Sequence, residues 1–327
     1  MALNMEFMTV SVVIPAYADT KTPPILRALE DIDYPQDKFE VILGIGTCPA
    51  AQRNHAAKQA KGELLYFFNQ DSQPKADVFK KVVGILNGKT GVAGVGGPDL
   101  TPQDNNYMQQ LFGYAMGSYF AHWRMRARYA RIGRERISDE TELILSNLAI
   151  RKDAFERSGC FNEKLYPNEE NELINRMVGK GDKLVYSPDV IIYRDRRKTL
   201  YDFTRQFYGY GYGRMNQAFI EMNPKNLLFF MPLIFLIYTL ALPFAGASRV
   251  MSIPLWTYLG CALTDALWLS CKHKKLLFFL LPAIYCIMHF SYGMGMAGSL
   301  WTRCIKRTRG ENIPGKAITS RVLKECR

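Results

Sequence analysis

Residues 9–14 (TVSVVI) form an apolar, β-branched run that predicts a buried strand ended by Pro15. Apolar side chains then recur at helical spacing over 22–32, and Tyr34-Pro35 closes that helix. Residues 39–45 (FEVILGI) read as a second strand, 52–60 as a helix and 63–68 (ELLYFF) as a third strand. Strands alternating with helices predict parallel pairing through right-handed crossovers, hence a Rossmann-like α/β unit with a mostly parallel sheet. On such a sheet ligands sit at the carboxyl ends of the strands, so the residues just after each strand are the ones to read for chemistry.

The pattern changes towards the C-terminus. Residues 226–248 carry no Lys, Arg, Asp or Glu, 250–271 carry only Asp265, and 276–302 carry none, with His289 inside. About 20 apolar residues suffice to cross a bilayer as a helix. Three such runs predict an α-helical membrane domain with two or three hydrophobic helices. Charge follows the same division. Of 42 Lys+Arg and 30 Asp+Glu, 10 and 11 fall within residues 1–100, so the basic excess lies wholly in the remainder. That excess beside apolar runs points to a membrane surface or a phosphorylated substrate. No nucleic-acid-binding module is recognisable. The seven cysteines lack metal-site spacing and suit small buried residues in a reducing compartment. No secretory signal opens the sequence, so the N-terminal part is expected in the cytosol.

Four stretches stand out for chemistry: Pro15-Ala16-Tyr17-Ala18-Asp19, Asn69-Gln70-Asp71-Ser72, Asn168-Glu169-Glu170-Asn171-Glu172, and the Tyr/Gly run from Tyr208 to Arg214. Each has a plain structural alternative. Asp71 could open a turn, and Glu169 and Glu170 could be a solvated helix N-terminus favoured by the helix dipole. The Tyr/Gly run could be a flexible interfacial loop.

In this order, the set resembles the membrane-anchored branch of the family 2 glycosyltransferases, which have the GT-A fold. The resemblance covers about residues 9–215. VSVVIPAYAD looks like the family's first strand and donor-binding turn. AAQRNHAAKQAKGELLYFFNQDS looks like the stretch that ends in its aspartate-x-aspartate motif. LYPNEENELINRM is similar to its glutamate-aspartate catalytic segment, and RQFYGYGYGR to the Tyr-Gly-Arg element before the membrane anchor.

The resemblance implies an inverting, non-processive hexosyltransferase. Such an enzyme moves sugar from a nucleotide-diphospho-sugar to a lipid-linked or glycan acceptor in polysaccharide or glycoconjugate biosynthesis. A departing diphosphate needs neutralising, and a divalent cation (Mn or Mg) held by Asp71 is the implied device. Donor contacts are implied for Pro15, Tyr17, Asp19, Arg53, Asn69 and Asp71. Glu170 falls on the family's base, which takes the acceptor's proton, with Glu169 the next candidate and Glu172 structural. Asn147, Arg205 and Arg214 are assigned to the acceptor or diphosphate side. The implied organisation is a cytosolic GT-A domain over 1–200, an interfacial linker over 201–225, a membrane domain over 226–302 and a basic tail over 303–327. That describes a multi-pass protein of the cell membrane that binds lipid and no nucleic acid.

Two departures from the family stand out. Asn69 replaces the first aspartate and supplies no charge. Gly44-Ile45-Gly46-Thr47 follows the second strand, where the family commonly has an acid. Arg53 has the alternative of a solvated helix charge. A membrane nucleotidyltransferase and a catalytically weak scaffold of a glycan-synthesis complex are the rival functions. The family's processive members carry a Gln-x-x-Arg-Trp element and more spans than this chain offers.

Other features are ambiguous. Gly94-Val95-Gly96-Gly97-Pro98 lacks P-loop residues and reads as a strand end on the acceptor floor. Six arginines between 124 and 136 could clamp a diphosphate, face lipid headgroups or lie on a solvated helix. His55 and His122 read as structural. His289 and Asp265, inside apolar runs, are either functional or satisfied by a neighbouring helix. Pro282 and Gly293-x-Gly295-x-x-Gly298 predict a third run broken into a hairpin, with the basic tail on the cytosolic side.

Overall fold

The computed structural model describes residues 7–17, 22–222, 224–244, 249–276, 279–309 and 319–324; Asp19 and Cys326 lie outside them. The strands are β1 (Val10–Ala16), β2 (Phe39–Ile45), β3 (Leu64–Phe67), β4 (Ser72–Pro74), β5 (Val92–Gly96), β6 (Asp99–Leu100), β7 (Arg136–Ser138), β8 (Leu148–Arg151), β9 (Lys183–Tyr186), β10 (Ile192–Arg194) and β11 (Thr319–Lys324). The helices are α1 (Ile25–Glu30), α2 (Pro49–Gln59), α3 (Val78–Gly88), α4 (Tyr107–Met116), α5 (Tyr119–His122), α6 (Lys152–Arg157), α7 (Glu169–Gly179), α8 (Leu200–Ala218), α9 (Met231–Ala241), α10 (Arg249–His273) and α11 (Leu281–Arg309). The described residues divide into two compact units, neither contiguous in sequence. One draws on Met1–Pro102, Ala127–Asp195 and Pro314–Arg327, the other on Gln103–Arg126 and Arg196–Ile313.

The first unit is built on an eight-stranded sheet in the order β11-β2-β1-β3-β8-β5-β9-β7. Period-two alternation divides its side chains between two cores. Val10, Val12 and Ile14 join one cluster with Leu64 and Tyr66, while Val13 joins the other with Leu65 and Phe67. Full burial of such a side chain is worth about 1.5–3 kcal/mol. The sheet is more mixed than the alternation predicts. β1 pairs in parallel with β2 and β3, and β5 with β9, but β8 runs antiparallel between β3 and β5, and β7 and β11 are antiparallel at the two edges. Pro15 does not end β1. It pairs with Gly44 of β2, beyond the last β1–β3 pair at Val13, so its missing N–H faces no second strand.

Gly44 has a packing reason. A Cβ there would stand 2.3 Å from the Gln52 carbonyl oxygen of α2. Gln52 in turn donates Nε2 to the carbonyls of Ala16 and Gly44 at 2.6 and 2.7 Å, tying off the ends of β1 and β2. A small second sheet, β4-β10-β6, sets Arg194 opposite Ser72 and Ile192 opposite Asp99.

The second unit is helical. The Tyr/Gly run is not a loop: it lies inside α8, a 19-residue helix capped by Thr199, whose side chain accepts from Asp202 N. Residues Leu227–Phe244 and Arg249–His273 form two helices long and apolar enough to cross a membrane. The third run is not broken. α11 is one continuous helix of 29 residues, with Pro282 at its second position, where a missing N–H costs nothing. Its glycines serve close packing instead. A Cβ on Gly295 would lie 2.0 Å from the Tyr208 carbonyl of α8, one on Gly211 of α8 1.9 Å from the Tyr292 carbonyl, and one on Gly293 2.6 Å from the Pro232 carbonyl of α9.

The two ionisable residues inside the apolar runs are hydrogen-bonded. Asp265 accepts from Ser118 Oγ at 2.7 Å and Tyr285 Oη at 2.5 Å. His289 Nδ1 lies 2.8 Å from Tyr258 Oη and Nε2 3.1 Å from the Ala121 carbonyl. Both act as polar ties between helices.

Candidate active site

The carboxyl ends of β1 and β3 lie side by side because the two strands pair in parallel. Tyr17 follows β1 and is exposed, while Pro15 is half-buried within it. Asn69 and Asp71 follow β3, where the Asn69 N–H donates to Ser72 Oγ at 3.1 Å and shapes the turn.

Arg53 reaches this point from α2. Its Nη1 donates to Glu169 Oε1 at 2.8 Å and its Nη2 to Asn69 Oδ1 at 3.1 Å, so it is not a solvated helix charge. Arg53 and Glu169 are 4% and 3% exposed, which makes this a buried ion pair. Burial pushes the Glu169 carboxyl up to about 7, against the pull of Arg53, and the neighbouring Glu170 adds to the rise.

Glu169 opens α7. Asn168 before it adopts a left-handed φ of +89°, a conformation Asn tolerates better than most residues. The first turn holds Glu169, Glu170 and Glu172, favoured there by the helix dipole. Their surroundings separate their roles. Glu169 is locked on Arg53, Glu172 pairs with Arg176 at 2.7 Å, and Glu170 is half-exposed.

Asp71 has a partner that no local pattern announces. Arg194 Nε of β10 donates to Asp71 Oδ1 at 2.8 Å, and Arg194 Nη1 lies 3.8 Å from Asp99 Oδ2. Asp99 is fully buried and accepts from Ser146 Oγ at 3.0 Å. Among the described residues no group of three or more His, Cys, Asp or Glu side chains comes together as a metal cage. Asp71 is the carboxylate of this turn, and a hard divalent ion held there would need its remaining ligands from outside the protein.

Asn147 is fully buried in the same unit. Its Oδ1 accepts from Tyr66 Oη at 2.7 Å, and its Nδ2 donates to the Pro98 and Val190 carbonyls at 3.2 and 2.8 Å, so its amide is engaged within the fold. In the second unit Arg205 is exposed on α8. Arg214 is buried there, donating to Gln217 at 3.0 Å and stacking 4.0 Å over Phe229.

Several of the arginines between 124 and 136 have internal duties. Arg128 is buried on the Glu140 carbonyl and Asn171, Arg131 pairs with Asp189, and Arg136 grips Glu142 and stacks on Tyr186. A cavity of about 830 Å³ at the amino end of β5, lined by Lys89, Arg151 and Arg157 among others, contains none of the predicted site residues.

The family model described as Glycosyl transferase family group 2 matches residues 65–297. No curated protein sequence matches the chain. Among solved structures, the mannosyltransferase PcManGT from Pyrobaculum calidifontis, in complex with GDP-Man and Mn2+, is similar at 17% identity and a TM-score of 0.55, covering 91% of this chain and 88% of that one. S. aureus TarS 1–349 in complex with UDP-GlcNAc aligns at 14% identity and a TM-score of 0.45, over 93% of each chain.

Proposed function

The chain belongs to the glycosyl transferase family group 2, and on that premise we propose that it is an inverting, non-processive transferase using a nucleotide-diphospho-sugar. One observation supports the site above all others. Arg53 ties Asn69, just after β3, to Glu169, at the start of α7, and so joins the donor-side turn to the carboxylate segment. The donor lies across the ends of β1 and β3, against Tyr17, Asn69 and Asp71. Glu170, half-exposed beside the locked Glu169, takes the proton of the acceptor hydroxyl while that oxygen bonds to the anomeric carbon. The bond from that carbon to the diphosphate breaks on the opposite face, which inverts the configuration. A divalent ion on Asp71, like the Mn2+ described with PcManGT, would stabilise the leaving diphosphate.

The acceptor is a lipid-linked or glycan hydroxyl. Leu227–Phe244 and Arg249–His273 anchor the protein in the cell membrane, with the first unit on the cytosolic side. The test incubates the full chain in detergent with radiolabelled GDP- and UDP-sugars and membrane lipid acceptors. Transfer by the wild type and its loss in Glu170→Gln are expected. A scaffold or a nucleotidyltransferase would release no sugar in a Glu170-dependent way.

A further inference from the structure

The Asp71–Arg194 pair places a cation beside the turn that follows β3. Arg194 belongs to β10, and its register opposite Ser72 sets it beside the turn that holds Asp71. Behind it lies buried Asp99, held by Ser146; in front lies Asp71, whose side chain is 48% exposed. The two carboxylates differ in kind. A half-exposed pair such as Arg194–Asp71 is weak and exchangeable, whereas Asp99 is fixed in the interior and keeps the guanidinium at this edge. Asn69, in the same turn, is uncharged, so it does not compete with a phosphate for the charge of Arg194.

We propose that Arg194 is a donor-phosphate-binding residue, and that its guanidinium supplies enough charge for a nucleoside diphosphate to bind without a divalent ion. The proposal rests on the nucleotide-sugar reading above. In the free protein Arg194 is held by Asp71. When a diphosphate arrives at the carboxyl end of β3, its oxygens replace the Asp71 carboxylate as acceptors, forming the charge-assisted, fork-shaped contacts that Arg makes with phosphate. An ion on Asp71 then adds to a binding that already exists.

The test measures dissociation constants of GDP, UDP, CDP and dTDP, each against its nucleoside, for the full chain in EDTA and in Mn2+. In EDTA the wild type should bind its diphosphate about tenfold or more tighter than the nucleoside, and within about threefold of its affinity in Mn2+. Arg194→Gln should lose about tenfold or more of the diphosphate affinity in EDTA with nucleoside affinity unchanged, and Arg194→Lys should keep part of it. A wild type that binds the diphosphate only with Mn2+ would overturn the proposal and leave the donor reading standing. So would an Arg194→Gln protein with undiminished diphosphate affinity in EDTA, which would make the ion pair merely structural. Binding of no nucleotide under either condition would overturn both readings together.

Discussion

Arg53 shows how one side chain sets the roles of its neighbours. With a single guanidinium shared between Asn69 and Glu169, the buried Glu169 is held in place while Glu170 stays partly exposed. Glu170→Gln should therefore bind donor almost normally and lose turnover by about 100-fold or more. Glu169→Gln keeps an oxygen for Arg53 and should lose less; the reverse order in steady-state rates would make Glu169 the base. The same pair predicts a pH dependence. Because burial raises the Glu169 carboxyl to about 7 in the folded chain, Glu169 binds its proton more tightly there than in the unfolded chain. Its contribution to stability is full below the ordinary carboxylate value and is lost as pH rises through about 7. Melting curves from pH 5 to 8 should show a fall in the wild type that is shallower in Glu169→Gln.

At the scale of elements, the crossing of α8 and α11 depends on positions with no Cβ. Gly211 and Gly295 let the two backbones meet, as small residues do at helix crossings. Gly295→Ala puts a methyl group against the Tyr208 backbone and should destabilise the helical unit by about 1–3 kcal/mol. Gly260 is the control. Nothing lies within 4 Å of a Cβ there, so Gly260→Ala in α10 should leave stability unchanged or raise it by up to about 1 kcal/mol. Thermal unfolding in detergent separates the two. If both variants melt with the wild type, the close approach is not supporting the unit.

For the whole molecule, the return of the chain matters most. β11 pairs antiparallel with β2 from Thr319↔Ile45 to Lys324↔Val41, so the chain that leaves the first unit after Asp195 comes back to it. Since β2 and β11 share one sheet, the chain between them crosses any bilayer an even number of times. We expect α9 and α10 to make the two crossings, with α11 packed along α8 and not crossing. Labelling with a membrane-impermeant thiol reagent tests this in cells, using Cys326 alone and a cysteine placed at exposed Glu163 of the first unit. Both should be protected from outside. Labelling of Cys326 alone would mean an odd number of crossings.

Local patterns in the sequence determined the early strands and helices, the two apolar spans and the segments that hold Asn69, Asp71, Glu169 and Glu170. Those features follow from periodicity, turn chemistry and motif order over a few residues, and neighbours in sequence decide them. Tertiary structure alone decided the rest. Arg53 and Glu169 are 116 residues apart and Arg194 and Asp71 are 123 apart, and they meet only because parallel strands and a small second sheet bring their ends together. The antiparallel insertion of β8, the edge strand β11 and the continuity of α11 likewise depend on partners far along the chain. Glycines that read as helix breakers became contact points once another backbone lay against them, because a missing Cβ has no fixed meaning until its neighbour is in place.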